Sequence, residues 1–506
     1  MAAAAAAHAL VFPCPAQGHI NAMLPLAAAL VDAGVFVTFL HTDHNLRVFS
    51  SASVAASPRL RFVSIPDGLP DDNPRSVADV LELDRSLREV GSVRYRALLA
   101  SLLPAAAGSP SFRDGRDDGV DDEHLFPPVT CVVADSWMPW AIDVAEELGV
   151  PALAFFTSST CSYLAYLAVP ELLELGELPF PAGCDLDEPV RLVPGMETFL
   201  RRRDLPNCYR RLPSDDAEDG DDTDPMLHTV HLFAKATAKS KARALVLNTA
   251  ASLETSAIEH IAPRMRDVFA IGPLHAMSPS APAPVPSSQW CADDECIAWL
   301  DGQADRSVVY LSFGSLAVMS YEQFTEFLLG IVATGYPFLW VLRPDMVGEG
   351  QGYGILEEAA MVAAGDGKGR VVEWAPQREV LRHRAVGCFV THAGWNSTLE
   401  AVVEGVPMVC WPSFADQHIN SRFVGAVWRN GLDMKDVSDR AVVERMVMEA
   451  MESGDIRRSA EALARQVKRD VAAGGSSATE FQRLIGFIRE LNTSNAASGL
   501  TVNGCD

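Results

Sequence analysis

The sequence predicts two α/β domains, each a doubly wound parallel sheet, facing one cleft. Three observations carry this. Short runs that are apolar on both faces alternate with helical patterns, as strands covered by helices do. The rhythm halts at Met277–Gln289, where Pro279, Pro282, Pro284 and Pro286 stand among Ser and Ala, and then restarts. The chain has 506 residues, 48% of them apolar, which suffices for two large cores and argues against global disorder.

The elements follow in order. Ala9–Pro13 reads as a strand, and a helix is expected from about Ala22 to Ala33, with Asn21 as N-cap and Gly34 just past its end. Val35–Leu40, Arg61–Ile65 and Thr130–Ala134 are strands, the last followed by a helix ending near Gly149. Ala152–Phe156 and Ala244–Asn248 complete the first set. Ser307–Ser312, Phe338–Leu342, Arg370–Val372, Cys388–Thr391 and Met408–Cys410 form the second. Helical segments run from about Asp439 to Leu491, and the polar end from Thr493 is expected to fray. The expected layout is a first domain over 1–277, a linker over 278–289 and a second domain over 290–475. A C-terminal helix over 476–492 and a flexible tail over 493–506 follow.

Composition excludes several functions. With 41 Lys+Arg against 66 Asp+Glu the net charge is −25, which disfavours nucleic acid and anionic membranes as partners. Two segments concentrate it. Asp215–Asp224 holds seven acids, and Asp114–Glu123 holds six acids and Arg116, so together they carry −12. Both read as solvated loops whose charge is screened beyond about 10 Å. Ten cysteines without a C-x-x-C pair suggest a reduced, cytoplasmic chain, and the start shows no basic region before its alanines, so no signal peptide is expected. Gly149–Pro170 lacks charge, but Pro151 opens it and Thr157–Ser162 is hydroxyl-rich; strand, polar loop and buried helix is the reading, with no membrane span.

The chemistry gathers at strand ends. The turn Pro13-Cys-Pro-Ala-Gln-Gly18-His19 places an imidazole at the carboxyl edge of the first sheet, where doubly wound folds bind ligands. His19 either takes a proton from a substrate hydroxyl or merely caps the helix. Asp135 directly follows another apolar strand on the same edge. It either orients His19 and stabilises its cation or caps the helix near Pro139. In the second half, the strand ending at Thr391 leads through His392-Ala-Gly394 into a helix opening Trp395-Asn396-Ser397, which is a ready anion site. Ser315, in the turn after another strand, is a second phosphate candidate. A G-x-G-x-x-G after the first strand is missing, which weakens a nicotinamide oxidoreductase, and Gly365-Asp-Gly367-Lys368-Gly369 lacks P-loop spacing.

The box Trp374–Gln417, which runs Trp374-Ala-Pro-Gln377, His392-Ala-Gly394-Trp395-Asn396-Ser397, Glu400 and Asp416-Gln417, resembles the signature of plant family-one UDP-dependent glycosyltransferases. The Gly18-His19 turn, the Asp135 strand end and the two-domain layout extend the resemblance over about 480 residues. It implies the GT-B fold, with the C-terminal helix packing back on the first domain. It also implies inverting, metal-independent transfer of glucose from UDP-glucose to a hydroxyl or carboxyl of a small lipophilic plant metabolite. Catalysis would rest on His19 as base and Asp135 as its partner. Trp374 would stack on uracil, the Ala375 backbone would read its edge, and Gln377 and Glu400 would hold the ribose. His392, Gly394, Asn396, Ser397 and Ser315 would hold the diphosphate. Trp395, Asp416, Gln417 and Thr157 would meet the sugar, with Trp395 and Gln417 resembling glucose-using members.

The resemblance implies no cofactor beyond the donor, no resident metal, and action as a monomer. The chain departs mildly from the pattern at Ala22, Arg384, Cys388, Ala393 and Ser413. Another UDP-sugar, or a UDP-sugar or terpenoid binder without turnover, is the alternative. Asp219-Gly-Asp221 forms the D-x-D triplet of metal-dependent glycosyltransferases but reads as part of a solvated loop. His41-Thr-Asp43-His44 reads as a strand end more than a metal clip, and Arg201–Arg203 as an exposed loop more than an anion site. Ile65-Pro-Asp-Gly-Leu69 and Arg202-Arg-Asp204-Leu-Pro206 resemble the subgroup acting on terpenoid alcohols, iridoids and cyanohydrins.

Overall fold

The computed structural model describes residues 6–48, 57–73, 75, 79–104, 126–211, 223–277, 295–347, 354, 359, 361, 365 and 367–500. The acidic run Asp114–Glu123, the acids Asp215–Asp222 with their D-x-D triplet, and the 278–289 linker lie outside these residues.

Parallel strands need a crossover, so each connection carries helix or coil across a face of the sheet. The first sheet has β1 (His8–Phe12), β2 (Phe36–Thr42), β3 (Leu60–Ile65), β4 (Cys131–Asp135), β5 (Ala152–Phe156), β6 (Ala244–Leu247) and β7 (Val268–Ala270). Their order is β3-β2-β1-β4-β5-β6-β7. The second has β8 (Val308–Ser312), β9 (Phe338–Val341), β10 (Gly369–Val372), β11 (Val386–Thr391), β12 (Met408–Cys410) and β13 (Gly431–Asp433), ordered β10-β9-β8-β11-β12-β13. Both sheets are parallel throughout and form the two-domain GT-B architecture. The edge strands β7 and β13 are missing from the sequence expectation.

Strand order reverses direction between β1 and β4, and again between β8 and β11. These are the topological switch points, where an open α/β sheet leaves a crevice at its carboxyl edge. Leu10, Phe12, Val132 and Ala134 pack into the core on one face, and Ala9, Val11, Cys131 and Val133 into the core on the other. Burial on both faces is why these strands read as unbroken apolar runs.

Helix α1 (Gln17–Asp32) begins earlier than expected. Ala16 is its N-cap, without a side-chain bond, and Asn21 lies inside the helix. The chain turns directly off β1, with the Ala16 N–H on the Cys14 carbonyl at 2.8 Å, so the helix starts before the first good capping residue. His19 therefore stands in its first turn, while Gly34 ends the helix with φ +85° as expected. The uncharged stretch after Gly149 is strand, polar turn and helix α3 (Thr160–Leu167), after α2 (Pro139–Glu147). No helix among the described residues is long and apolar enough to cross a membrane.

The first domain continues through α4 (Pro225–Ala238) and α5 (Ala251–Ile261). In the second domain α6 (Trp395–Glu404) follows β11, and α7 (Ser476–Leu500) ends the described chain. Phe481, Leu484, Ile485 and Ile488 of α7 bury themselves in the first-domain core beside Ala9, Val11 and Phe269. Ser477 donates to the Gly272 carbonyl at 2.7 Å, and Arg483 pairs with Asp267 at 3.0 Å. The helix is described to Leu500. The arginine run is likewise not an exposed loop. Arg201 pairs with Asp187 and Asp204 at 2.9 Å, Arg202 with Glu188 at 2.5 Å and Arg203 with Asp187 at 2.8 Å.

One buried carboxylate fixes the loop that carries Thr157 and Ser158. Glu254, at a kink in α5, accepts the Thr160 N–H and hydroxyl at 3.0 Å and the Cys161 N–H at 2.9 Å. It thus satisfies the amides that open α3. Replacing it by Ala would leave both amides buried without an acceptor. Glu254→Ala is expected to lose about 2–5 kcal/mol of unfolding free energy, read by urea denaturation, with Glu254→Gln losing less.

Candidate active site

The two carboxyl edges enclose one cavity of about 1060 Å3. Of the residues singled out in the sequence, His19, Thr157, Ser315, Trp374, Ala375, Gln377, His392, Gly394, Trp395, Asn396, Ser397, Glu400, Asp416 and Gln417 all line it. Asp135 is fully buried directly behind His19.

The first switch point supplies a dyad. Asp135 ends β4, and His19 opens α1 after the neighbouring β1. His19 Nδ1 lies 2.6 Å from Asp135 Oδ2, with the imidazole about 24% exposed. The carboxylate also accepts the Cys14 N–H at 3.3 Å and the Trp137 N–H at 3.0 Å, so it cannot swing away. Burial works against the imidazolium, but Asp135 outweighs it and holds His19 above its ordinary value. With Nδ1 committed to Asp135, Nε2 is the nitrogen left for a substrate proton. Thr157 contacts this same Nδ1 at 3.1 Å.

The second switch point supplies an anion cradle. No side chain caps α6, whose first turn opens at Gly394 on the cavity, so its amides are available to a negative group. His392 is wedged between two glycines. A Cβ at Gly314 would stand 2.6 Å from its Nε2, and one at Gly394 2.4 Å. Ala393 between His392 and Gly394 takes φ +61°, a strained conformation for a side-chain-bearing residue. Burial and the nearby Arg343 guanidinium hold His392 down at about 4, so at neutral pH it is an uncharged donor.

Three residues sit differently from their sequence expectations. The Trp395 indole N–H is spent on the Asn248 carbonyl at 2.8 Å, which leaves the Trp395 backbone amide for a ligand hydroxyl. The Asn396 amide donates to the Gly18 carbonyl at 2.7 Å, across the domain boundary. Gln377 donates to Ser397 at 2.9 Å and Glu400 at 2.8 Å, so it holds its expected ribose partner Glu400 and a residue expected at the diphosphate. Burial lifts Glu400 to about 7, against the pull of Gln377, and lifts Asp416 to about 6, against its bond from Asn420. Gln417 Oε1 accepts the Ser413 and Phe414 amides at 2.8 and 3.1 Å, which directs its NH2 group elsewhere.

Sequence reasoning missed Asn248 and Ser158. Asn248 directly follows β6 on the same edge as Asp135, so a strand-end signal was present. Its side chain accepts the Leu274 N–H at 2.9 Å while its carbonyl holds Trp395. Ser158 lines the cavity with Asp416 of the other domain and favours its charged form, a pairing no local pattern announces.

A family model described as "UDP-glucoronosyl and UDP-glucosyl transferase" matches residues 265–452. A relative from Crocosmia x crocosmiiflora, named myricetin 3-O-rhamnoside 1,2-glucosyltransferase, is 44% identical over 96% of both chains. The chain belongs to this UDP-glycosyltransferase family. Another relative, the 7-deoxyloganetic acid glucosyltransferase of Catharanthus roseus, is 39% identical over 96% of this chain and 98% of its own length. An O. sativa protein solved in complex with UDP shares the fold with TM-score 0.72 and 26% identity, covering 96% of this chain and all of that one. These relatives make the chain an enzyme of a glycosyl-transferring family whose plant members act on small metabolites.

The dyad of this glycosyltransferase makes a stability prediction. His19 is raised above 6.5, so its pairing with Asp135 stabilises the fold fully below that pH and the contribution is lost as pH rises through the raised value. The melting-temperature gap between the native protein and His19→Gln is expected to be widest below pH 6.5 and to narrow on the alkaline side.

Proposed function

We propose that the chain transfers glucose from UDP-glucose to a hydroxyl, or a carboxyl, of a small lipophilic metabolite, with inversion and without a metal. One observation carries the reading. A histidine–aspartate dyad at one switch point faces an uncapped helix N-terminus at the other, across a single cavity. The first can take a proton and the second can take a phosphate, which is what sugar transfer from a nucleotide requires. The relatives' glucosyltransferase names agree with it.

Trp374 stacks on uracil, the Ala375 backbone reads its edge, and Gln377 and Glu400 bind the ribose hydroxyls. The α6 amides from Gly394 on, with Ser397, Asn396, His392 and Ser315, hold the diphosphate. Asp416, Gln417 and the Trp395 amide bind sugar hydroxyls, with Thr157 on the opposite wall. His19 Nε2 takes the acceptor proton as the acceptor oxygen bonds the anomeric carbon. The bond from that carbon to the phosphate oxygen breaks, and its electrons leave with UDP. Asp135 stabilises the imidazolium, and the helix terminus with His392 balances the departing charge, the task a divalent cation performs in other enzymes. Attack from the face opposite UDP gives a β-glucoside. The enzyme acts as a monomer, since one chain supplies both walls. The thiol pattern favours the cytoplasm; the eight described cysteines are all unpaired.

His19→Ala is expected to lose about 10²–10⁴ in turnover while UDP still protects against melting, provided the acceptor is not itself acidic enough to ionise. Near-native turnover would overturn the base assignment, and loss of activity in EDTA would overturn the metal-free one. Because the base must be neutral, kcat/KM is expected to rise with pH through a limb above 6.5 and then level off. Asp135→Asn should move that limb to lower pH and lower the plateau, as a full pH–rate profile would read.

A further inference from the structure

The charges that line the cavity bear on what it accepts. On the second-domain wall Arg378 and Arg382, inside the box that opens with Trp374, stand with the acids Glu379, Glu400 and Asp416. The first-domain wall, around His19, is apolar, with Leu83, Leu87, Trp137, Met226 and Phe233 along it. Trp137 and Phe233 stack there with centroids 4.4 Å apart and planes at 25°. Of the strongly charged side chains that the described residues place on this wall, three are acids, Asp84, Asp143 and Asp224, and one is a base, Arg88.

Arg88 is already committed. Its Nε lies 3.2 Å from Asp84 Oδ1, and its Nη2 bonds the other oxygen of the same carboxylate. Asp143 is exposed on α2, one turn inside the start at Pro139. Pro139 has no N–H, so that helix start offers an anion one donor fewer. Asp224 caps α4 by accepting the Met226 N–H at 2.8 Å. The pair cancels, and the wall is left with two negative charges and no uncommitted arginine or lysine. A bound UDP-sugar adds a diphosphate nearby.

We propose that this wall selects an uncharged acceptor, a lipophilic alcohol or phenol, and discriminates against one bearing a carboxylate. This rests on the transfer reading above and narrows it. The relatives' names leave the matter open, since one names a neutral glycoside and another an acid. Like charges that share a cavity beside an apolar surface are screened less than in bulk water, so the penalty is expected to reach about tenfold.

A matched pair isolates the charge: 6-hydroxy-2-naphthoic acid and 6-hydroxy-2-naphthamide share shape and phenol and differ in ionisation. Both are assayed for UDP release with UDP-glucose, and for binding by quenching of tryptophan fluorescence in the presence of UDP. The amide is expected to exceed the acid about tenfold in kcat/KM and in affinity. In Asp143→Asn/Asp224→Asn the amide-to-acid ratio should fall severalfold; Asn caps helices as well as Asp, so α4 keeps its start. An acid equal to or better than the amide would overturn the proposal. So would a ratio unmoved by the double variant, which would assign the preference to apolar burial. Loss of UDP release with both acceptors would count against the transfer reading alone, because the binding ratio still decides this one.

Discussion

Two hydrogen bonds hold the carboxyl edges of the sheets face to face. The Trp395 indole donates to the Asn248 carbonyl, and the Asn396 amide donates to the Gly18 carbonyl. Both donors stand in the first turn of the helix whose amides form the anion cradle. Both acceptors are backbone atoms at the edge that carries His19. A shift of one domain against the other would break these bonds and separate base from cradle together. Nearby, Asp204 of the first domain meets Lys435 at 3.1 Å and Arg422 at 3.4 Å from the second. Burial disfavours its charged form, but Arg201 and Lys435 outweigh burial and hold it low. A charge so enclosed tolerates loss of a partner poorly. The interface is therefore stiff in register, and α7, crossing back onto the first core, adds a chain-length clamp.

The site works by local dipoles in a strongly acidic chain. Nearly half of the −25 lies in two segments outside the box in sequence, and the groups proposed to face a diphosphate are amides, hydroxyls, an amide side chain and an uncharged imidazole. His392 shows how the fold enforces this. Two glycines leave just the space of its ring, and the strained Ala393 turns the chain so that α6 starts at the cavity. Side-chain bulk at either glycine would displace the ring before it touched a ligand.

Much of this was legible in the sequence. The strands β1, β4, β5, β8, β11 and β12 stood out because burial on both faces makes them apolar throughout. His19, Asp135 and the box from Trp374 to Gln417 stood out because each begins where such a strand ends. Other features were not legible. The start of α1 was hidden because the turn off β1 is made by backbone bonds without a capping side chain. Arg201–Arg203 looked exposed because its partners Asp187 and Glu188 are more than a dozen residues away.

The sequence by itself determined which residues sit at the carboxyl edges, since periodicity and strand ends are local properties of the chain. It also determined the family, through a box too long to arise from turn chemistry alone. Only the tertiary structure decided what those residues face. Trp395 and Asn396 read alike as ligand-binding groups, yet the Trp395 indole N–H and one N–H of the Asn396 amide are spent on the opposite domain. Gln377 braces Ser397 and Glu400, and an aromatic wall that carries Asp143 and Asp224 surrounds the base. The two cross-domain bonds bring positions 147 and 378 residues apart within 3 Å, which packing of whole sheets decides and local pattern does not.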